Sequence, residues 1–358
     1  MKAVCLAAAA LLTFASAAPA QDWQRNAVPY YDTVHALQGI YGHWALPRAQ
    51  DFDRGARTLV PAVAALCQAP ARDGKAALES ARSAWQATAR AWEQLAAVSV
   101  GPVIARRSQR AIDFTPTRPA LIEKAIAAQP QGAKAFERIG TPAKGLPALE
   151  WLLWTRPVQP GSPACGYAHE VAQDVAREAA ALQTAFTDAA GTDWGAEDEQ
   201  EQSTQAIGEF VNQWVGGIER LRWAQMDKPL RAAQGTRTPD YPRTASGNTL
   251  AAWAATWAGL RSVTVLPAGN ATPVPGEALV PLEMYLRGKG LNPLADKLHQ
   301  AADKVDASMA QVQKAGLKNG KAAIQQTARD LAALKFLAES EVAPALQVSI
   351  GFSDADGD

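Results

Sequence analysis

Residues 78–95 read LESARSAWQATARAWEQL, and their apolar side chains recur every three or four positions. The stripe consists of Leu78, Ala81, Trp85, Ala89, Trp92 and Leu95. In an α-helix this spacing places the stripe on one face, with most of the polar residues on the other. The stretch therefore predicts a long amphipathic helix that packs through two tryptophans.

The same periodicity recurs along the chain, where alanine is frequent and β-branched runs are short. These features favour helix over strand. Helical spacing is present in segments 50–68, 74–98, 164–190, 199–226, 247–264, 293–314 and 318–347. Because no stretch alternates as a half-buried strand does, the sequence predicts an all-α protein built from helical bundles.

Prolines and glycines cluster between these segments, including at 101–119, and predict connections there. The polar, acidic stretch 187–202 separates two helix-rich halves and is the best candidate for a domain boundary. We therefore predict an N-terminal helical domain over 21–190 and a C-terminal helical domain over 200–353. Residues 354–358 are interpreted as an acidic tail.

The first twenty residues, MKAVCLAAAALLTFASAAPA, have the pattern of a secretory signal peptide. Lys2 precedes an apolar run too short to span a bilayer, and residues 18–20 form an A-x-A cleavage site. We expect cleavage of residues 1–20, a periplasmic location and no membrane span afterwards. The chain has 35 Lys+Arg and 35 Asp+Glu, so its charge gives no support for nucleic-acid binding.

Two cysteines, Cys67 and Cys165, remain after the expected cleavage. In an oxidising compartment such a pair predicts one disulfide. The alternative is two separate buried thiols, which are common in protein cores.

The stretch Lys144–Trp154, KGLPALEWLLW, places one carboxylate, Glu150, among apolar residues. Burying a carboxylate is costly unless it is paired, metal-bound or protonated. A zinc-peptidase helix would carry two histidines four positions apart with a glutamate between them. The nearest match has His169 and Glu170 but Gln173 at the second histidine position.

Several stretches together resemble the imelysin-like proteins of the bacterial envelope. They are LVPAVAALCQAP (59–70), ARSAWQATARAWEQLAAVSVGP (81–102), RAIDFTP (110–116), KGLPALEWLLW (144–154), DKPLR (227–231), RTASGNT (243–249) and VSIGFSDADGD (348–358). The resemblance implies a mostly helical, exported protein of two bundle-like domains that is linked to iron uptake. The family takes its name from a member described as a metallopeptidase.

The resemblance also implies a G-x-H-x-x-E signature whose His and Glu are proposed metal ligands. Here the aligned residues are GLPALE, 145–150, with Pro147 in the histidine position. Proline offers no side-chain donor to a metal, so only Glu150 remains of the pair. Glu150 then has three interpretations: a ligand for iron or another divalent metal with help from elsewhere, a partner of an arginine, or an exposed residue.

We expect a site between the two halves that contains Asp113, Glu150, Arg243 and Ser246, with Trp151 lining the cleft. Arg106, Arg107 and Arg110 are further candidate partners of Glu150. The alternative is that these residues form structural ion pairs, which produce similar clusters.

Three functions are compatible with these features. We favour an exported, non-catalytic protein of bacterial iron uptake that binds a metal or a small ligand between its domains, with envelope iron-uptake components as its partners. The first alternative is a metal-dependent peptidase, which Pro147 disfavours. The second is a helical module that docks a partner protein without a metal.

Overall fold

The computed structural model describes residues 28–70, 72–233 and 238–351. Within these ranges the chain is helical and contains no strand, so the predicted all-α class is confirmed. The predicted signal peptide and the acidic tail lie outside the described residues. No helix in the described ranges is both long and apolar enough to cross a membrane.

The α-helices are α1 (Thr33–Gln38), α2 (Leu46–Gln68), α3 (Gly74–Ala96), α4 (Pro102–Ala105), α5 (Ser108–Ile112), α6 (Pro119–Ala128), α7 (Gly132–Phe136), α8 (Gly145–Glu150), α9 (Pro163–Ala190), α10 (Gln200–Glu219), α11 (Lys228–Ala232), α12 (Thr249–Thr264), α13 (Leu282–Gly288), α14 (Asn292–Asn319), α15 (Lys321–Leu337) and α16 (Ala343–Ala345). Segments of π-helix cover Gly39–Ala45, Trp151–Thr155, Arg220–Asp227 and Ala338–Val342. Short 3₁₀ turns cover Thr141–Ala143 and Glu197–Glu199. The connection predicted at 101–119 thus contains two short helices, α4 and α5.

Three long helices form the frame of the N-terminal half. Helix α2 packs along its length against both α3 and α9. The predicted apolar stripe of α3 lies in this interface, where Trp85 and Trp92 are completely buried. Large aromatic side chains contribute much of the apolar area that such a core buries.

A disulfide between Cys67 and Cys165 joins the end of α2 to the start of α9, as predicted. The start of α9 is also capped, because the Ser162 hydroxyl accepts a hydrogen bond from the N–H of Cys165. The two cysteines are 98 positions apart in sequence. Closing a loop of this length is expected to stabilise the fold by roughly 2–4 kcal/mol.

Helices of the C-terminal half pack directly onto the frame. Helix α12 lies along α3, while α14 and α15 pair with each other and α15 also contacts α10. Two glycines permit the close approach: a Cβ on Gly217 would overlap the carbonyl oxygen of Ala97, and one on Gly259 would lie 2.7 Å from that of Gln94. The buried apolar residues of both halves form one cluster. The division into two domains near 187–202 stays a prediction.

Candidate functional site

Helix α8 carries Glu150, and its first residue determines how closely it can approach its neighbour. Gly145 has φ 77°, and a Cβ there would overlap the carbonyl oxygen of Ile112 at the end of α5. Only glycine combines this backbone conformation with so close a contact. Pro147 follows in the first turn, where no intrahelical N–H bond is lost. The helix is therefore held tightly in the interior, and all six of its residues are buried.

Glu150 is only 6% exposed, but its carboxylate is not bare. Its Oε1 atom accepts two hydrogen bonds from Ser246, one from the backbone N–H at 2.9 Å and one from the hydroxyl at 2.7 Å. Hydrogen bonds to an ionised acceptor are stronger than neutral ones. Of the three interpretations of Glu150, exposure on an outer face is thus wrong, because the carboxylate is buried and held by the C-terminal half.

The segment RTASGNT, 243–249, supplies both of these donors and an arginine. Arg243 has φ 64°, and its carbonyl oxygen accepts a hydrogen bond from the N–H of Asn248 at 3.0 Å. This tight turn precedes α12 and directs the side chains of Arg243 and Ser246 into the interior. A left-handed conformation costs a non-glycine residue of order 1–3 kcal/mol, so the surrounding contacts must hold it in place.

The guanidinium of Arg243 is the centre of a buried group of charges. Its Nε and Nη2 atoms donate to Glu93 Oε1 at 3.2 and 3.1 Å. Nη2 also lies 2.8 Å from Asp113 Oδ1, an ion pair without the alignment of a hydrogen bond. The Cζ atom lies 5.5 Å from the ring centroid of Trp85. We refer to Glu93, Asp113, Glu150, Arg220 and Arg243 as the Arg243 cluster.

Three further hydrogen bonds connect the cluster to its surroundings. Thr256 of α12 donates its hydroxyl to Glu93 Oε2 at 3.2 Å, and Arg220 donates Nη2 to the carbonyl oxygen of Ala96 at 2.5 Å. The indole N–H of Trp85 donates to the carbonyl oxygen of Leu146 at 3.0 Å, which ties α3 to α8. The cluster therefore joins helices from both halves of the chain.

In the cluster, burial and the attraction of neighbouring opposite charges shift the pKa values in opposite directions. Burial alone would lower the pKa of Arg243, but the attraction of three carboxylates outweighs it and raises that pKa above its ordinary value. Those carboxylates are Asp113, Glu93 and Glu150. Burial is the largest influence on Glu93 and raises its pKa, Arg243 lowers it only in part, and Asp113 raises it further. Burial also lowers the pKa of Arg220 against the attraction of Glu93 and Asp113.

Four residues of the predicted site lie together: Asp113, Glu150, Arg243 and Ser246. Their assignment as ligand-binding residues stays a prediction. Trp151, the fifth, packs elsewhere, since the guanidinium of Arg156 lies 5.8 Å from its ring centroid. Of the further candidate arginines, Arg106 pairs with Glu178 at 2.8 Å rather than with Glu150.

Sequence reasoning missed Glu93, the carboxylate that directly binds Arg243, and it treated Trp85 only as a core residue. The sequence does contain a pattern that indicates both residues. Trp85, Ala89 and Glu93 follow one another at intervals of four, so Glu93 interrupts the apolar stripe of α3 with a charge. A carboxylate on a stripe that is otherwise buried must find a partner.

The donor set of the cluster does not fit a metal ion. Pro147 replaces the signature histidine, and one oxygen of Glu150 is already occupied by two donors from Ser246. The remaining carboxylates surround a guanidinium, a permanent cation that would repel a second one at this distance. In the ranges 28–70, 72–233 and 238–351, no three His, Cys, Asp or Glu residues are grouped so as to hold a metal.

The fold and this interior site define an all-α protein in which a short helix with the sequence GLPALE is buried against a second helical half. The sequence model of the imelysin family, peptidase family M75, matches residues 45–341. The chain belongs to the imelysin family.

Two solved structures resemble the fold. An imelysin-like protein from Psychrobacter arcticum 273-4 has a TM-score of 0.71 and 19% identity, with 91% of this chain and 100% of that chain covered. An iron-regulated protein A precursor from Parabacteroides distasonis ATCC 8503 has a TM-score of 0.63 and 16% identity, with 87% and 96% covered. A search of curated proteins finds no match to this chain.

Proposed function

We propose that this chain is an exported, non-catalytic member of the imelysin family that takes part in bacterial iron uptake. Membership of the family supports the envelope setting. The name of the similar Parabacteroides distasonis protein, an iron-regulated protein A precursor, supports the association with iron. The signal-like pattern of residues 1–20 supports export to the periplasm.

The observation that carries the non-catalytic part is the double hydrogen bond from Ser246 to Glu150. A metal-dependent peptidase needs a metal with an open position for water and a carboxylate or similar group to accept a proton. Glu150 is the one side chain of the family signature that could contribute, and its Oε1 atom is occupied. Pro147 removes the other ligand of the signature.

The proposed role of the Arg243 cluster is to lock the two halves of the chain together. Glu93 lies on α3, Asp113 follows α5 and Glu150 ends α8, while Arg243 and Ser246 precede α12. Each of these side chains already has a partner within the fold. A small ligand bound at this site would have to replace one of those partners.

The proposal is tested on mature protein purified without a histidine tag. We expect no hydrolysis of casein in the presence of zinc, ferrous or manganese ions, and no stoichiometric metal by mass spectrometry. Glu150→Gln is the informative variant, and Glu170→Gln on α9 is its buried control, since Glu170 lies outside the cluster. Hydrolysis that a chelator abolishes and that Glu150→Gln but not Glu170→Gln removes would contradict the non-catalytic assignment.

The association with iron needs a cellular readout. We expect that deleting the gene from its bacterium slows growth when iron is withheld with a chelator, and that added iron restores growth. Growth that is equally unaffected with and without available iron would contradict this part of the proposal.

A further inference from the structure

A second concentration of charge lies outside the Arg243 cluster, in an open groove. The groove runs between the π-helical segment Arg220–Asp227 with α11 on one side and α15 on the other, and its volume is about 740 Å³. Small-molecule sites typically have volumes of ~300–1,000 Å³, so the groove is large enough for a small ligand.

Most of the charged side chains that line the groove are positive. Four cationic side chains face one carboxylate: they are Arg222, Arg231, Lys321 and Arg329, against Asp227. The charged lining residues therefore sum to a net charge of three positive units. A concave surface of one sign concentrates the field and attracts ligands of the other sign.

Two of these cations are held in place by buried carboxylates beneath them. Arg222 donates Nε to Glu219 Oε2 at 2.8 Å, and Arg231 Nη2 lies 2.7 Å from Asp227 Oδ2. The side chains of Glu219 and Asp227 are only 8% and 9% exposed. Both guanidiniums also lie near the ring of Trp223, with Cζ-to-centroid distances of 5.7 and 5.6 Å. This side of the groove is thus organised before any ligand arrives.

The other two cations are available. Across the part of the chain that the structure describes, neither Lys321 nor Arg329 forms an ion pair. Arg329 donates Nη2 to the neutral side chain of Gln326 at 2.6 Å. The guanidinium of Arg329 and the flexible ammonium of Lys321 both lie on the α15 edge of the groove, where they can reach an oxyanion.

The groove also accounts for a motif that the Arg243 cluster does not use. DKPLR, 227–231, is one of the stretches that carry the family resemblance. Three of its residues line the groove: Asp227, Leu230 and Arg231. The motif thus supplies a fixed cation, the carboxylate that fixes it and an apolar wall.

We propose that this groove binds a small organic or inorganic anion that carries two or more carboxylate or phosphoryl groups. The arginines bind one oxyanion bidentately, and Lys321 with Arg329 binds a second one across the groove. A molecule with a single negative charge engages only one edge. The site is separate from Glu150 and does not depend on the association with iron.

The test is isothermal titration of the mature protein in metal-free buffer at constant ionic strength. Citrate represents polycarboxylates, pyrophosphate represents phosphoryl ligands, and acetate is the monovalent reference. The variant combines Lys321→Ala with Arg329→Ala, which removes the two groove cations that form no ion pair within the described ranges. Its control is Lys134→Ala with Arg138→Ala, which removes the same two charges from exposed positions outside the groove.

We expect citrate or pyrophosphate to bind wild type at least tenfold more tightly than acetate, with the tighter probe identifying the chemical class. The groove variant should weaken that binding by about tenfold, because it removes two charge-assisted contacts from a partly solvated site, whereas the control should not. Absence of binding by both probes, or an equal loss in both variants, would overturn the proposal. Circular dichroism checks that both variants are folded.

Discussion

The Arg243 cluster and the cationic groove are built from acidic and basic side chains. They differ in solvent access and in the sign of their net charge. In the cluster, three carboxylates surround two guanidiniums in the interior. In the groove, four cations face one carboxylate and are open to solvent. Buried charges must be paired within the fold, whereas charges in contact with water can remain in excess.

This difference separates a structural role from a binding role. In the cluster, Glu93, Asp113 and Glu150 each have a partner within the fold, and these contacts join the two halves of the chain. The groove retains two cations, Lys321 and Arg329, that form no ion pair within the described chain. Substitutions of matched residues in the two regions should therefore have unequal effects on stability.

The largest effect is expected from Arg243→Ala. The substitution leaves Glu93 and Asp113 buried beside each other without their common cation. Breaking a buried pair in this way typically costs ~3–5 kcal/mol of the free energy of unfolding. Urea unfolding followed by circular dichroism measures the loss. Since alanine keeps a Cβ, the strain of the left-handed backbone is unchanged.

The matched substitution in the groove is Arg329→Ala, which removes a guanidinium whose hydrogen bonds within the described residues go to the neutral side chain of Gln326. Its expected effect is within about 0.5 kcal/mol, as for most surface substitutions. Equal losses for Arg243→Ala and Arg329→Ala would remove the distinction between the two regions.

An effect smaller than that of Arg243→Ala but larger than that of Arg329→Ala is expected from Gly145→Ala, which tests how closely α8 must approach α5 to place Glu150. The new Cβ would overlap the carbonyl oxygen of Ile112 at a backbone φ of 77°. Gly161→Ala is the control, because φ is 72° there but nothing lies within 4 Å of the new Cβ. The control reports the backbone cost alone, of order 1–3 kcal/mol.

Gly145→Ala should therefore be more destabilising than Gly161→Ala by at least roughly 1 kcal/mol, the excess being the steric cost at Ile112. Thermal unfolding of the two variants side by side provides the comparison. If both lose the same stability, close packing of α8 is not what positions Glu150.

The smallest expected effect is a change in the pH dependence of stability caused by Glu93→Gln. The pKa of Glu93 in the folded protein is raised above its ordinary value of 4.5, chiefly by burial. The folded state therefore retains a proton that the unfolded state releases, and the contribution of Glu93 to stability is full below 4.5 and falls as pH rises through the folded pKa. Glu93→Gln cannot lose this proton, so its stability relative to wild type should increase as pH rises above 4.5. A difference that is constant with pH would show that Glu93 has an unshifted pKa.

Much of the frame could be predicted from the sequence because the decisive interactions are local and periodic. The stripe from Leu78 to Leu95 predicted α3, and an even pair of cysteines in an expected oxidising compartment predicted the Cys67–Cys165 disulfide. Short helices such as α5 and α6 were not predicted. A few turns present too few apolar positions for a period to be recognised.

The two charged regions differ in how much of each could be predicted from the sequence. Asp113, Glu150, Arg243 and Ser246 could be grouped because they lie in motifs that resemble those of one family. Trp151 was expected to line the cleft because it lies near turn residues, but its helical neighbour Glu150 points in a different direction. The groove was not predicted at all, since its two edges are about a hundred residues apart and meet only when α15 packs on the segment Arg220–Asp227.

The central claim is that the guanidinium of Arg243 is the cation that satisfies the buried carboxylates. A double-mutant cycle between Arg243→Met and Glu93→Gln, measured by urea unfolding at neutral pH, tests it most directly. Residues that share a buried ion pair show coupling energies of about 0.5–3 kcal/mol, and we predict a value in the upper half of that range. Single losses that add up to the double loss within about 0.5 kcal/mol would show that the two side chains act independently and would contradict the claim.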